Sequence, residues 1–269
     1  MPAARLRLCR SLLFLPASNP RAIAKARELP ADMVILDLED AVREEDKEAA
    51  RAAAVAAVGE GFPGKLAAIR INASGGAHFG QDIIAVRDSA ADLLVIPKVE
   101  HEEQVKDAAR LAAKPLLAMI ETAAGVLNAP AAGRHCSGLI AGTNDLAADL
   151  ALPATAGREG LIHSLQAILL AARAAGIAAF DGVFNGLEDE VGLEGQCRQG
   201  RAFGFDGKAL IHPGQIAAAN RIFSPSDAEV EAALKLIAAA SGGAERYEGR
   251  MIEAMHVSQA EAVLAKARR

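Results

Sequence analysis

Short runs of consecutive apolar residues recur along this chain, and between them lie Ala-rich stretches whose apolar positions repeat at helical spacing. Eight runs stand out: residues 12–16, 33–39, 66–72, 93–99, 115–121, 138–143, 177–183 and 207–213. Continuous apolar runs of this length read as strands buried on both faces, and strand–helix alternation favours parallel pairing through right-handed crossovers. Eight such units predict a closed (β/α)8 TIM barrel over residues 1–223. An open doubly wound sheet is the competitor, but no GxGxxG follows the first run and no Walker loop occurs.

Residues 224–269 break the pattern. Ser226-Asp227-Ala228-Glu229 is a capping-box start for a helix, Ser241-Gly242-Gly243-Ala244 interrupts it, residues 247–257 are irregular, and Ser258-Gln259-Ala260-Glu261 opens a short final helix. This appended helical tail is a lid, an exchange arm, or a helix packed on its own barrel.

Composition narrows the class. With 269 residues and 52% hydrophobic content the chain buries a large core, and about 250 residues suits a barrel. A net charge of -5 and 3% aromatics argue against nucleic acid as a partner. The three cysteines, Cys9, Cys136 and Cys197, form no CxxC or zinc pattern, so a reduced cytoplasmic setting is expected. Arg5, Arg7 and Arg10 precede Leu12-Leu13-Phe14-Leu15, but this stretch falls short of the roughly 7 to 15 residues of a signal h-region. No run approaches the roughly 18 apolar residues of a membrane helix, and no membrane association is expected.

Barrel active sites gather at the C-terminal ends of the strands, and the polar residues that end these runs fall there. Glu121 and Asp145 each stand where an apolar run gives out; together they suit Mg²⁺, which takes a few carboxylates and leaves room for water and substrate oxygens. Asp145 also reads as a cap for a helix starting at Leu146, and Thr122 as a cap after the fifth strand. Arg70, inside a buried run, needs an anion: a structural carboxylate such as Asp37, or a substrate carboxylate or enolate oxygen. Asp37, Glu39 and Asp40 alternate along a strand end, so they are not expected to share one side. His212 reads as structural. Lys98 offers Schiff-base chemistry, although Glu100, Glu102 and Glu103 nearby favour its charged form. Asn19-Pro20 starts a helix on which Arg21 and Lys25 share a face, as a solvated basic patch or a grip on phosphates.

Arg10-Ser11-Leu12-Leu13-Phe14-Leu15-Pro16, Leu36-Asp37-Leu38-Glu39-Asp40-Ala41-Val42, Arg70-Ile71-Asn72, Ile96-Pro97-Lys98, Met119-Ile120-Glu121-Thr122, Gly142-Thr143-Asn144-Asp145-Leu146 and Ile211-His212-Pro213 together resemble the citrate lyase beta subunit family. That family sits within the HpcH/HpaI aldolase group with malyl-CoA and citramalyl-CoA lyases. The resemblance runs from about Arg10 to Asn220. It implies a (β/α)8 barrel assembling as a homotrimer or hexamer, Mg²⁺ on Glu121 and Asp145, Arg70 as a catalytic and substrate-binding group, and Asp37 and Glu39 behind them. Glu121 also touches substrate in this scheme, and coenzyme A contacts fall at Phe14, Arg21 and Lys25. Two departures stand out. Many members have Pro-Gly where this chain has Pro16-Ala17, and a Met-Ile-Asp segment that serves a neighbouring subunit's site is here Met251-Ile252-Glu253.

The reaction so implied is Mg²⁺-dependent cleavage of a 3-hydroxyacyl thioester, of coenzyme A or an acyl carrier, to acetyl-CoA and a 2-oxo acid, with Glu253 or water protonating the enolate. A thioesterase on the same scaffold, a Schiff-base aldolase using Lys98, and a non-catalytic carrier-protein-binding subunit are the alternatives.

Overall fold

The apolar runs become parallel strands in the computed structural model, which describes residues 5–241 and 243–267. The strands are β1 (Ser11–Pro16), β2 (Met33–Asp37), β3 (Leu66–Arg70), β4 (Leu93–Ile96), β5 (Leu116–Ile120), β6 (Gly138–Ala141), β7 (Ala178–Asp181) and β8 (Gly207–Leu210). Each pairs with the next, and β8 returns to β1 through Ser11↔Lys208, Leu12↔Ala209 and Leu13↔Leu210, which closes the barrel. Every residue of β2 to β8 is buried, because one face fills the barrel and the other meets helices. This is why the runs read as unbroken apolar stretches.

The helices around the barrel are α1 (Pro20–Glu28), α2 (Lys47–Glu60), α3 (Phe79–Asp88), α4 (Glu102–Ala112), α5 (Ala123–Gly133), α6 (Thr143–Asp149), α7 (Ile162–Ala174), α8 (Glu190–Phe203) and α9 (Ile216–Phe223). Local chemistry sets their starts. The Asn19 side chain accepts the Ala22 N–H (3.1 Å) ahead of Pro20, and Thr122 Oγ1 accepts the Gly125 N–H (3.0 Å) to cap α5. No helix among the described residues is long and apolar enough to cross a membrane.

Period-two alternation decides what each strand shows to the interior. Leu12, Met33, Ile35, Leu66, Ala68, Leu93, Val95, Leu117, Met119, Ile140, Phe180 and Ala209 belong to the central core. Asp181, next to Phe180, therefore turns outward to the helical layer. There its carboxylate accepts from the wholly buried Lys208 Nζ (3.0 Å) and from Arg158, against Gly200 of α8. A strand-end acid is thus accounted for by packing between layers.

The chain forms two compact units, residues 1–220 and 221–269. In the second, α10 (Asp227–Ala239) packs against α11 (Ala254–Ala267), with a hairpin of β9 (Glu245–Tyr247) and β10 (Arg250–Ile252) between them in sequence. Two details differ from the sequence expectation. Residues 247–257 are not irregular, because Glu248 and Gly249 both take positive φ (46° and 78°), the combination a two-residue hairpin turn needs. The last helix opens at Ala254 rather than Ser258. Of the predicted interruption at residues 241–244, Gly242 lies outside the described residues.

Candidate active site

The alternation that fills the barrel carries three charged residues to its C-terminal end, each two positions beyond a core residue: Asp37 after Ile35, Arg70 after Ala68 and Glu121 after Met119. With Phe14, Asp40, Gly142, Asn144 and Asp145 they line a cavity of 460 Å³.

Arg70 is buried and its fork is largely taken by Asp37. Nε donates to Oδ1 and Nη2 to Oδ2, both at 2.6 Å, in the bidentate geometry that makes such pairs strong. Asp37 also accepts the backbone N–H groups of Glu39 (2.9 Å) and Ala41 (3.1 Å). Nη1 lies 3.3 Å from Asp40 Oδ2 and 3.0 Å from Glu39 Oε2, an oxygen that is buried and makes no hydrogen bond, so the Glu39 contact is one of charge. The guanidinium carbon sits 5.4 Å from the Phe14 ring centre. Burial alone would lower the pKa of Arg70, but Asp37, Glu39 and Asp40 outweigh it and hold the group charged.

All three acids of residues 37–40 therefore gather on one guanidinium, against the expectation from alternation. The reason is that β2 ends at Asp37; Glu39 and Asp40 lie in a turn closed by the Val42 N–H on Glu39 O (3.1 Å). Burial raises the Glu39 carboxyl above its ordinary range, with Arg70 and Lys98 pulling it partly back.

Glu121 follows β5 and is 3% exposed. The β5–β6 register, ending Ile120↔Ala141, sets Gly142 beside it, where a Cβ would come within 2.5 Å of Glu121 Oε1. Only glycine leaves room. Glu121 Oε2 accepts the Lys98 backbone N–H (2.7 Å). Burial pushes the carboxyl up to about 7 despite that bond and the Arg70 charge, and Glu39 and Asp145 add to the rise. Asp145 is half-buried in the first turn of α6, which opens at Thr143 with Gly142 before it. It is not the cap of a helix starting at Leu146, so that explanation for its acidity falls away. Thr122, not Glu121, caps α5.

Lys98 places Nζ 2.9 Å from Glu39 Oε1 and 3.4 Å from Asp40 Oδ1. Burial would lower its pKa, but Glu39, Asp40 and Asp145 reverse the sign and keep the ammonium protonated. That state is unsuited to carbonyl attack. His212 is exposed, and its Nδ1 accepts the Gly214 N–H (3.1 Å) as a turn cap. Arg21 and Lys25 are exposed on α1, outside the cavity wall, whereas Phe14 is on it. Glu253 belongs to the second unit, is exposed, and donates its N–H to His256 Nδ1 (3.0 Å).

Gly142 and the Lys98 main chain were invisible as site components in the sequence. The role of Gly142 exists only once the β5–β6 register is formed, and Pro97-Lys98 at a strand end does not show the positive φ (50°) that Lys98 adopts.

Among the described residues no three His, Cys, Asp or Glu side chains converge as a complete metal site. Two carboxylates on one cavity wall are instead a partial set of hard oxygen donors, which fits an octahedral cation that retains water and takes substrate oxygens.

The chain matches the model for HpcH/HpaI aldolase/citrate lyase over residues 10–213 and that for a C–C bond lyase of the TIM-barrel fold over residues 161–269. It is 42% identical to (3S)-malyl-CoA thioesterase of Cereibacter sphaeroides, over 96% of this chain and 94% of that one. It is 32% identical to citrate lyase subunit beta of Leuconostoc mesenteroides, over 96% and 93%. Protein CitE of Mycobacterium tuberculosis, solved with magnesium, acetoacetate and coenzyme A, superposes with a TM-score of 0.83 at 34% identity, covering 98% of this chain and 100% of that one. With more than half its length under one family model and these relatives nearly end to end, the chain belongs to the HpcH/HpaI aldolase/citrate lyase family.

Proposed function

We propose that this protein is a Mg²⁺-dependent carbon–carbon lyase that cleaves a 3-hydroxyacyl-CoA thioester of the citramalyl, malyl or citryl type into acetyl-CoA and a 2-oxo acid. One observation carries the reading: Glu121, Asp145 and Arg70 share a single cavity at the C-terminal end of the barrel. Glu121 and Asp145 would hold the cation, which when bound supplies Lewis-acid polarisation of substrate oxygens. Arg70, kept charged and aimed by Asp37, offers its guanidinium to the negative charge that develops as the carbon–carbon bond breaks toward the thioester. The hydroxyl gives up its proton to water, the electrons of that O–H bond form the carbonyl of the 2-oxo acid, the electron pair of the broken carbon–carbon bond passes to the thioester α-carbon, and a proton delivered there completes acetyl-CoA. Glu253 of another copy in a homo-oligomer is the assigned donor. Phe14 on the cavity wall and the exposed cations Arg21 and Lys25 are assigned to the coenzyme A moiety.

A second reading has specific support, because a 42% identical relative is a malyl-CoA thioesterase. In that reaction water adds to the acyl carbon and the thiol leaves, with no 2-oxo product. Neither reading needs a cysteine nucleophile: burial pushes the Cys136 and Cys197 thiols up to about 12 and 11. Incubating the protein and Mg²⁺ with a panel of hydroxyacyl-CoA thioesters, with and without EDTA, separates the cases. Acetyl-CoA with an equimolar 2-oxo acid supports the lyase; free coenzyme A with intact hydroxy acid identifies the thioesterase; no turnover of any thioester leaves the scaffold reading.

A further inference from the structure

Lys98 engages acidic neighbours with both its main chain and its side chain. It follows β4 with φ of 50°, a left-handed conformation in which a residue with a Cβ is strained. That turn carries its N–H to Glu121 Oε2 (2.7 Å). Its ammonium reaches across to the acidic turn after β2, 2.9 Å from Glu39 Oε1 and 3.4 Å from Asp40 Oδ1. Gln104 of α4 donates to the Lys98 carbonyl oxygen (3.4 Å) while its amide oxygen accepts the N–H groups of Glu100 (2.8 Å) and His101 (2.9 Å), fixing the loop that makes the turn. A lysine that served only as a solvated surface charge would show neither the backbone strain nor the two-sided attachment.

We propose that Lys98 is a positioning residue, which orients one oxygen of Glu121 through a strained backbone N–H and ties the 37–40 acidic turn to the same wall through its ammonium. The carboxylates are thereby set in one arrangement before cation or substrate arrives. This rests on the reading of Glu121 and Asp145 as cation ligands. It also excludes the Schiff-base role, since the amine that would attack a carbonyl is the ion-pair partner that holds the wall together.

The two roles a lysine can have beside a cation site differ in sign. A mere positive charge repels the cation, so removing it tightens binding; a positioning group orients the ligands, and its loss weakens binding by about 10- to 100-fold. Mn²⁺ binding to the full-length protein without substrate, read from the electron paramagnetic resonance of free ion, distinguishes them. Lys98→Met is expected to weaken Mn²⁺ binding at least about tenfold, and Lys98→Arg, which keeps a cation over Glu39 and Asp40, to recover most of it. The side chain is 41% exposed, so both variants should fold, and circular dichroism spectra like the wild type's establish that they do. Unchanged or tighter binding in Lys98→Met overturns the proposal, as does a borohydride-trapped adduct of a 2-oxo acid on Lys98. If Glu121→Gln binds Mn²⁺ as the wild type does, the ligand assignment itself has failed, which is a different result from a silent Lys98.

Discussion

Glu121 is an acid whose surroundings resist its charge, and the pH dependence follows from that. Its pKa lies near 7 instead of 4.5 chiefly because of burial, so the metal-free fold favours the protonated carboxyl. The sign is that of a raised acid: stability is unpenalised below about 4.5 and is lost as pH rises to about 7, by roughly 3 kcal/mol in all. With Glu121 as the proposed cation ligand, cation binding runs the other way, since a ligand carboxylate must be ionised, and Mn²⁺ affinity should climb steeply from about pH 5.5 to 7 and then level. Melting curves of metal-free protein across this range should slope downward for the wild type and be flatter for Glu121→Gln; equal slopes would refute the burial argument. Gly142 gives a second test. Gly142→Ala puts a methyl against Glu121 Oε1, costing about 1–3 kcal/mol in overpacking and misplacing the carboxylate. Turnover should fall about 100-fold, the size of effect expected from an error near 1 Å, with the fold retained by circular dichroism. Glu121 could be picked out from sequence because it ends an apolar run without serving as a cap; Gly142 could not, because its role exists only in the β5–β6 register.

β2 and β3 are joined by more than their backbone ladder, since Asp37↔Arg70 is the last register pair and its side chains form a buried bidentate ion pair. Asp37 also organises the acidic turn through the Glu39 and Ala41 N–H groups. Asp37→Ala should therefore destabilise the protein by about 3 kcal/mol, as breaking a buried pair does. It should also lower kcat more than it raises KM if Arg70 acts chiefly on developing charge. A denaturation midpoint like the wild type's would show that Glu39 and Asp40 replace Asp37. The eight strands were legible because full burial on both faces leaves no alternation, and their order follows from short crossovers. Where the strand period stops, the sequence stops informing: residues 38–40 leave β2 and wrap Arg70, which a continued alternation predicts wrongly. The β9–β10 hairpin was missed for a related reason. Its turn is Glu248-Gly249, without the Asn-Gly or Asp-Gly that marks such turns, and each strand has three residues.

At the scale of the whole molecule the open assignment is the proton donor. Glu253 lies in the unit of residues 221–269, directly before α11, on a carboxylate stem one methylene longer than the aspartate of the family pattern. If it serves a site formed by another copy, the catalytic apparatus is divided between chains, and inactive variants should complement. Glu121→Gln and Glu253→Gln chains would each be inactive alone, the first for want of a cation ligand and the second for want of a proton donor. A mixed oligomer would contain some sites with a wild-type Glu121 wall and a wild-type Glu253 from the adjoining copy. Dissociating and reassociating an equimolar mixture, or coexpressing the two chains, should restore activity to about one quarter of wild type for random pairing of two chains per site. Restoration makes Glu253 a residue in trans. If Glu253→Gln alone retains full kcat, water protonates the enolate; if both variants are dead and their mixture stays dead although hybrid oligomers form, Glu253 acts within its own chain.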